Sequence, residues 1–291
     1  MDGTIPVSIE TPAFVSRPAS YLRRAAIAAS YPLRGIWYCA RDRDLWPLFA
    51  GRLLPLSLIS LAVYFVLFTF AFLPQYALIA ILHGWGAWFN AVVLTLGEGL
   101  VITQALFEGF FVDECRVDVF DAVFIKRGLV DLVAQHRLLF DDAPSAVKML
   151  GKPTSPAAYQ PWSVIQIIEL IVFLPLNLVP LVGTPAFIII TGTRLGKLSQ
   201  YRWFQLRGLS RREREREIGG LTWDYVCFGT VAMLLELVPL LSFFFLLTTS
   251  AGSAAWAAAM EHHRRQAARA AVEARAGPGG SPPPAYTDDV A

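Results

Sequence analysis

Leu176–Gly183 reads LNLVPLVG, and at Leu235–Leu241 the chain writes nearly the same letters again, LELVPLL. Each copy lies inside a long apolar run and puts a proline where a membrane helix would use a backbone N–H. Within hydrocarbon a broken helix persists only where other groups re-satisfy the freed backbone, so a break written twice marks a turn rather than a defect. Arm length then decides what kind of turn. Trp162–Leu178 would extend about 26 Å as a helix. Pro175, Pro180 and Pro185 end the helices around the turn, and Gly183 permits it. Beyond Pro185 only Ala186–Thr193 remain before Arg194, about 12 Å of helix, too short to cross a hydrocarbon core of about 30 Å. LNLVPLVG therefore predicts the tip of a re-entrant helical hairpin. The second copy turns at Pro239. Its arms, Val226–Val238 and Leu240–Met260, are longer and fit either a second hairpin or a kinked spanning pair.

The rest of the chain agrees with a membrane setting. Of 291 residues 55 % are hydrophobic and 16 % charged, and the mean hydropathy is +0.48, which is too apolar for a soluble domain of this length. Three regions carry no Lys or Arg: Leu53–Ile102, Trp162–Thr193 and Ile218–Met260. Leu53–Leu73 alone would be roughly 31 Å of helix, a full crossing, and Leu53–Ile102 has room for a second. The expected fold is an all-α integral membrane protein: two long transmembrane helices plus two helical hairpins, re-entrant or spanning. No signal peptide is read at the polar, proline-punctuated N-terminus, so the spans themselves would direct insertion.

Charge placement gives the expected orientation. The 25 Lys and Arg residues fall as seven in Arg17–Arg52, six in Arg116–Lys152, eight in Arg194–Arg216 and four in Arg264–Arg275. The connectors Pro74–Asn90, Val179–Thr184 and Pro239–Ser242 have none. By the positive-inside rule both termini and both charged loops are cytosolic. Residues 1–52 then form a cytosolic segment with an amphipathic helix. Residues 53–261 form the membrane domain, with cytosolic loops at about 109–160 and 194–217, and 262–291 a largely disordered cytosolic tail. Tyr76, Trp85 and Trp88 suit an interfacial belt at the first connector. Ser210–Gly220, SRREREREIGG, reads as a solvated helix of ion pairs.

Catalytic and metal signatures are missing from the sequence. It has no G-x-S-x-G, H-E-x-x-H, P-loop or G-x-G-x-x-G, and His83, His136, His262 and His263 do not group with a nucleophile. Cys39, Cys115 and Cys227 read as reduced structural thiols, with Cys39 or Cys115 as alternative palmitoylation sites. The helix around Gly109–Gly128 puts Val112, Cys115, Val119 and Ala122 on one face and Glu114, Asp118 and Asp121 on another; that acidic stripe reads as a salt-bridging surface before a cation site. No enzyme activity, cofactor, metal or nucleic-acid partner is expected. The candidate functional residues are polar groups at membrane depth: Glu98, Glu169 and Glu236, with Asn177 at the matching place in the first copy of the repeat. They either line a functional interior or cap and cross-link the broken helices. In the tail, Pro283-Pro284-Ala285-Tyr286 fits the P-P-x-Y ligand of WW domains and so suggests a WW-domain ubiquitin ligase as partner, beside the lipid membrane itself. The sequence leaves an oligomer open.

The segments GEG, FFVDECRVDVFDAVFIKRG, LGKP, ELIVFLPLNLVPLVGTPAFIIITGTRLG, YRWF, FGTVAMLLELVPLLSFFFLLTTSAGSAAWA and YPLRGIWY resemble a fungal membrane-protein family. That family includes lipid-droplet and outer-spore-wall proteins of yeast. At greater distance the chain is similar to the etoposide-induced autophagy proteins of the endoplasmic reticulum and to the bacterial sulfate permease CysZ, mainly through the pattern L-x-x-x-P-x-x-G at Leu176–Gly183. The resemblance covers roughly Tyr31–Glu261. It implies a CysZ-like fold with hemi-penetrating hairpins, residence in the endoplasmic reticulum or on lipid droplets, and a non-enzymatic role in spore-wall or lipid biology. Transport of a small solute such as sulfate is the alternative it implies.

Overall fold

The computed structural model describes residues 13–108, 112–153 and 182–276, and these are mostly helical. The first apolar segment folds as one continuous rod. Helix α2 (Trp46–Val66) passes through a π-turn, Leu67–Ala71, into α3 (Phe72–His83). The sequence reading ends this span at Leu73 and takes Pro74–Asn90 as a connector. The helix instead runs on to His83 and reverses only at Gly84–Gly86. Pro74 would normally break it, because the ring collides with the carbonyl four residues back. The π-turn ends beside it, with the Phe72 N–H bonded to the Leu67 carbonyl, and this wider turn opens the ladder around Phe70. Gly84 then takes φ +54°, which only glycine adopts without strain.

Helix α4 (Ala87–Glu108) returns against α3. Its apolar part, Ala87–Thr103, falls short of a crossing; among the described residues two helices are long and apolar enough to span, Leu53–Ile81 and Ser242–Ala274. The first expected span is thus present and longer than expected, whereas the second long helix comes from the C-terminal region. These two helices differ in surroundings. Only 17 % of the most apolar window of Leu53–Ile81 is buried, against 78 % for Ser242–Ala274. The first is largely exposed and carries Leu54, Leu58, Phe65 and Phe70 outward. The second is the centre of the protein.

Small residues let the other helices approach that centre. After α5 (Val112–Lys126) come the short α6 (Val130–Ala134), β1 (Arg137–Leu139), α7 (Ala146–Met149) and β2 (Leu150–Pro153). They are followed by α8 (Gly183–Ser199), α9 (Tyr201–Leu206), α10 (Arg211–Gly220), α11 (Thr222–Glu236) and α12 (Ser242–Ala276). Helix α1 (Ala13–Arg41) crosses α12 where Gly35 meets Gly252. A Cβ on Gly35 would lie 2.0 Å from the Thr248 carbonyl, and one on Gly252 2.3 Å from that of Tyr31. Helices α8 and α11 cross as closely: a Cβ on Gly229 would lie 1.7 Å from the Gly192 carbonyl, and one on Gly196 2.2 Å from that of Tyr225. Gly192-x-x-x-Gly196 is the small-xxx-small pattern by which membrane helices, lacking a hydrophobic drive to associate, gain van der Waals contact.

Helix α5 corrects the sequence reading. It is not amphipathic but buried nearly all round, with Val117, Val119, Phe120, Ala122, Val123 and Phe124 each 0 % exposed. The reason is that Asp121 is itself 0 % exposed and finds cationic partners inside, so the acidic stripe divides into exposed Glu114, half-buried Asp118 and buried Asp121. The strands β1 and β2 pair antiparallel, Leu139 opposite Leu150, a small hairpin the sequence did not announce.

Of the first repeat copy, Glu169, Pro175, Asn177 and Pro180 lie outside the described residues. Gly183 and Pro185 do not form a turn: both sit in the first turn of α8, where a missing N–H costs nothing, and Gly183 does not take a positive φ. The return arm is also longer than expected, 17 residues or about 25 Å, because the helix continues past Arg194 and Lys197. Both are half-buried, their apolar stems lying along the bundle. In the second copy Pro239 opens a 3₁₀ turn, Pro239–Leu241, between α11 and α12.

Candidate functional site

The polar groups inside the apolar helices form two small clusters. In the first, the Gln75 side-chain amide donates to both Glu98 oxygens, at 2.8 and 2.7 Å, and Thr95 donates to the Gln75 oxygen at 3.0 Å. Glu98 therefore joins α3 to α4. The glycines flanking it in GEG have a packing reason. A Cβ on Gly99 would lie 2.2 Å from the Tyr64 ring, and one on Gly97 3.0 Å from Phe187, so α2 and α8 each press an aromatic ring against α4 beside the carboxylate.

The second cluster surrounds the proline turn. Ser60 of α2 donates to the Pro239 carbonyl at 2.6 Å and lies 3.1 Å from the Ser242 hydroxyl, which itself reaches Pro239 at 3.2 Å. The turn is therefore capped by side chains, as a helix end away from water requires. Glu236, the last residue of α11, is 0 % exposed beside this turn. Tyr64, one turn beyond Ser60, donates to the Leu96 carbonyl at 3.2 Å and links α2 to α4.

At the other end of the helices lies a layer of ion pairs. Asp121 takes two bonds from Arg202, at 3.0 and 2.7 Å, and one from Arg137 at 3.3 Å. Arg137 also pairs with Asp118 at 2.6 Å, and its Nε donates to the Gly151 carbonyl. Burial raises the Asp118 carboxyl above its ordinary range, an effect the Arg137 charge opposes. Glu261, 0 % exposed, accepts from Arg264 and Arg265, and Arg265 continues to Asp131 at 2.7 Å. Arg24 reaches Asp224 at 2.7 Å, and Lys126 holds Asp42 and Asp44. Helix α10 is solvated as its sequence predicts, opened by a capping box between Ser210 and Glu213 and carrying the Arg211–Glu215 pair.

Chemically these groups hold helices together. Among the described residues no group of three His, Cys, Asp or Glu side chains is placed to hold a metal ion. Cys39 is buried and its thiol is pushed up to about 12, first by burial and then by the charge of Asp42, so it stays protonated. Of the sequence candidates, Glu98 is held by Gln75, and Glu236 is buried at the end of a different helix, three residues before the proline turn. Ser60, Gln75 and Ser242 were not singled out by sequence, because a lone hydroxyl or amide in an apolar run carries no spacing signal. Gly192-x-x-x-Gly196 was readable and marks the α8–α11 contact. No family model matches the chain, and no curated protein or solved structure matches it.

Proposed function

We propose that this chain is a non-enzymatic, multi-pass membrane protein of the endoplasmic reticulum and lipid droplets, acting through hairpin insertion and cytosolic contacts in spore-wall or lipid-related biology. The observation that carries this reading is the separation of polarity along the molecule. The first helical pair turns at the uncharged Gly84–Gly86, while ion pairs gather around Asp121 in the second half of α5, Asp224 in the first turn of α11 and Glu261 past the apolar part of α12. A lipid droplet is a phospholipid monolayer over oil. A resident of both compartments must expose hydrophilic groups on one side only, and both termini are then cytosolic. In the tail, Pro283, Pro284 and Tyr286, outside the described residues, would offer a WW-domain ubiquitin ligase a polyproline ligand. The test is to follow a tagged copy through oleate loading and sporulation. Enrichment on the reticulum and on droplets supports the reading; exclusion from both overturns it.

One observation favours a second reading, a CysZ-like transporter or channel for a small solute such as sulfate. Glu98 with Gln75 and Thr95, and buried Glu236 at the end of α11, are polar groups within apolar helices, where ionisable side chains commonly mark a path. A glycosylation acceptor inserted at Gly84 separates the two. Modification of the entire population requires a luminal end and favours the transporter, whereas a droplet-resident pool stays unmodified.

A further inference from the structure

Helix α1 is held to the bundle by one face. Ala25, Ala28, Gly35 and Cys39 are buried, Tyr31 stacks on Trp256 at 6.1 Å, and Gly35 closes on Gly252. The opposite side is unusual for a helix so firmly docked. Leu22, Leu33 and Trp37 are 72, 53 and 69 % exposed, and Ala26 is exposed with them. These four are spaced i, i+4, i+11 and i+15, so at 100° per residue they form one stripe roughly 60° wide. Arg23, Arg34 and Arg41, all exposed, form a second stripe roughly 80° further round. Neither stripe meets another described element.

The direction of α1 explains why. Three turns in, Arg24 pairs with Asp224 in the first turn of α11. Just past its end, Asp42 pairs with Lys126 in the last turn of α5, whose neighbour Arg127 offers its carbonyl to His262. Both anchor points belong to the charged end of the molecule. Helix α1 therefore runs between two points of that end, crossing α12 at Gly252 on the way. Its last turn delivers the chain directly to α2: Trp46, 51 % exposed, donates its indole N–H to the Cys39 carbonyl, and Leu54 and Leu58 further along α2 are exposed as well. An apolar stripe, followed in the chain by a long exposed apolar helix, edged by arginines and ending on two exposed tryptophans, has the composition of a helix lying in a membrane interface.

We propose that the exposed side of α1 docks on the cytosolic surface of an anionic phospholipid layer, with Leu22, Ala26, Leu33 and Trp37 entering the headgroup–acyl boundary and Arg23, Arg34 and Arg41 contacting phosphates. The inference rests on the membrane reading above and adds a lipid class to it. A protein partner is disfavoured, because the chain runs from the stripe straight into an apolar helix, Leu53–Ile81, only 17 % of whose most apolar window is buried. Arginine supplies the planar donor fork suited to phosphate, and anionic headgroups attract each cation near the surface.

The test uses the full chain with its three cysteines replaced and single cysteines returned at Leu33, Trp37 or, as a water-facing reference, Arg212. The protein is reconstituted in vesicles of phosphatidylcholine alone or mixed with phosphatidylserine, and modified with a membrane-impermeant thiol reagent. Carbonate extraction first establishes insertion; a chain that extracts refutes the membrane reading itself. For an inserted chain, positions 33 and 37 should react much more slowly than 212 in mixed vesicles. An added Arg34→Gln change should speed their reaction about fivefold there and leave it unchanged in phosphatidylcholine. Rapid modification of 33 and 37 in both vesicle types overturns the proposal. So does protection that is equal in both lipids and indifferent to Arg34→Gln, which would assign the stripe to a protein contact.

Discussion

The Ser60 hydroxyl donates to the Pro239 carbonyl at 2.6 Å, so the turn written as LELVPLL is fastened to the first long helix of the chain. Proline ends the helix at this turn, and two serines far apart in the sequence donate to the carbonyl that the turn leaves open. A pattern that looks like a local break is completed by tertiary structure.

Because Ser60 and Ser242 share one acceptor, their effects should not add. Ser60→Ala leaves Ser242 to cap the turn and should cost about 0.6 kcal/mol, the usual worth of an interhelical hydrogen bond in a membrane protein. The double change Ser60→Ala with Ser242→Ala should cost clearly more than the two single changes together, since it leaves a buried carbonyl without a side-chain donor. Thermal unfolding in detergent gives the comparison, and strict additivity would contradict shared capping.

The α8–α11 crossing depends on glycine. Gly229→Ala would put a Cβ 1.7 Å from the Gly192 carbonyl, so the backbones must separate, at about 2 kcal/mol. Gly219→Ala in solvated α10 meets nothing within 4 Å. It should be neutral or stabilise by about 0.5 kcal/mol through helix propensity. A melting comparison of the two variants checks both signs.

Asp121 is the anion shared by Arg202 and Arg137, all three nearly inaccessible. Asp121→Asn removes the counter-charge of two buried guanidinium groups and should cost about 3 kcal/mol or more, enough to lower expression of folded protein. Asp118→Asn, at a site 28 % exposed and paired among the described residues with Arg137, should cost much less. Equal effects would mean that the two acids do not divide as the geometry says.

Cys39 gives a pH dependence with a defined sign. Its folded thiol titrates near 12, above the ordinary thiol value of 9.0. The folded state thus favours the neutral form. Its contribution is complete below the unfolded thiol pKa and declines as pH rises from about 9 to about 12. Cys39→Ala should flatten part of the alkaline loss of stability and leave stability at neutral pH little changed. An unaltered alkaline profile would contradict it.

Much of this fold was legible in the letters, and the exceptions have physical causes. Leu53–Leu73 announced a span because an uncharged apolar run of that length matches the thickness of a bilayer core, and Pro239 announced a turn. The passage of the helix through Pro74 was not legible, since it depends on the π-turn at Leu67–Ala71, and no residue there is diagnostic. Asp121 looked like a surface acid. Its partner Arg202 is 81 positions away, so burial could not be inferred from periodicity. Glu98 and Glu236 were legible as expensive residues at membrane depth. The groups that satisfy Glu98 and the proline turn, Gln75 and Ser60, were not, because a single hydroxyl or amide says nothing about what will face it.

The most direct test of the account is the sidedness of its hydrophilic surface. In sealed microsomes, single cysteines at Asp142, Arg212 and Glu273, each exposed, sample the β1–α7 loop, α10 and the end of α12. With the native cysteines replaced, all three should react with an impermeant thiol reagent added from the cytosolic side before any permeabilisation. Reaction of any one of them only after the membrane is opened would place charged surface in the lumen and contradict the one-sided design.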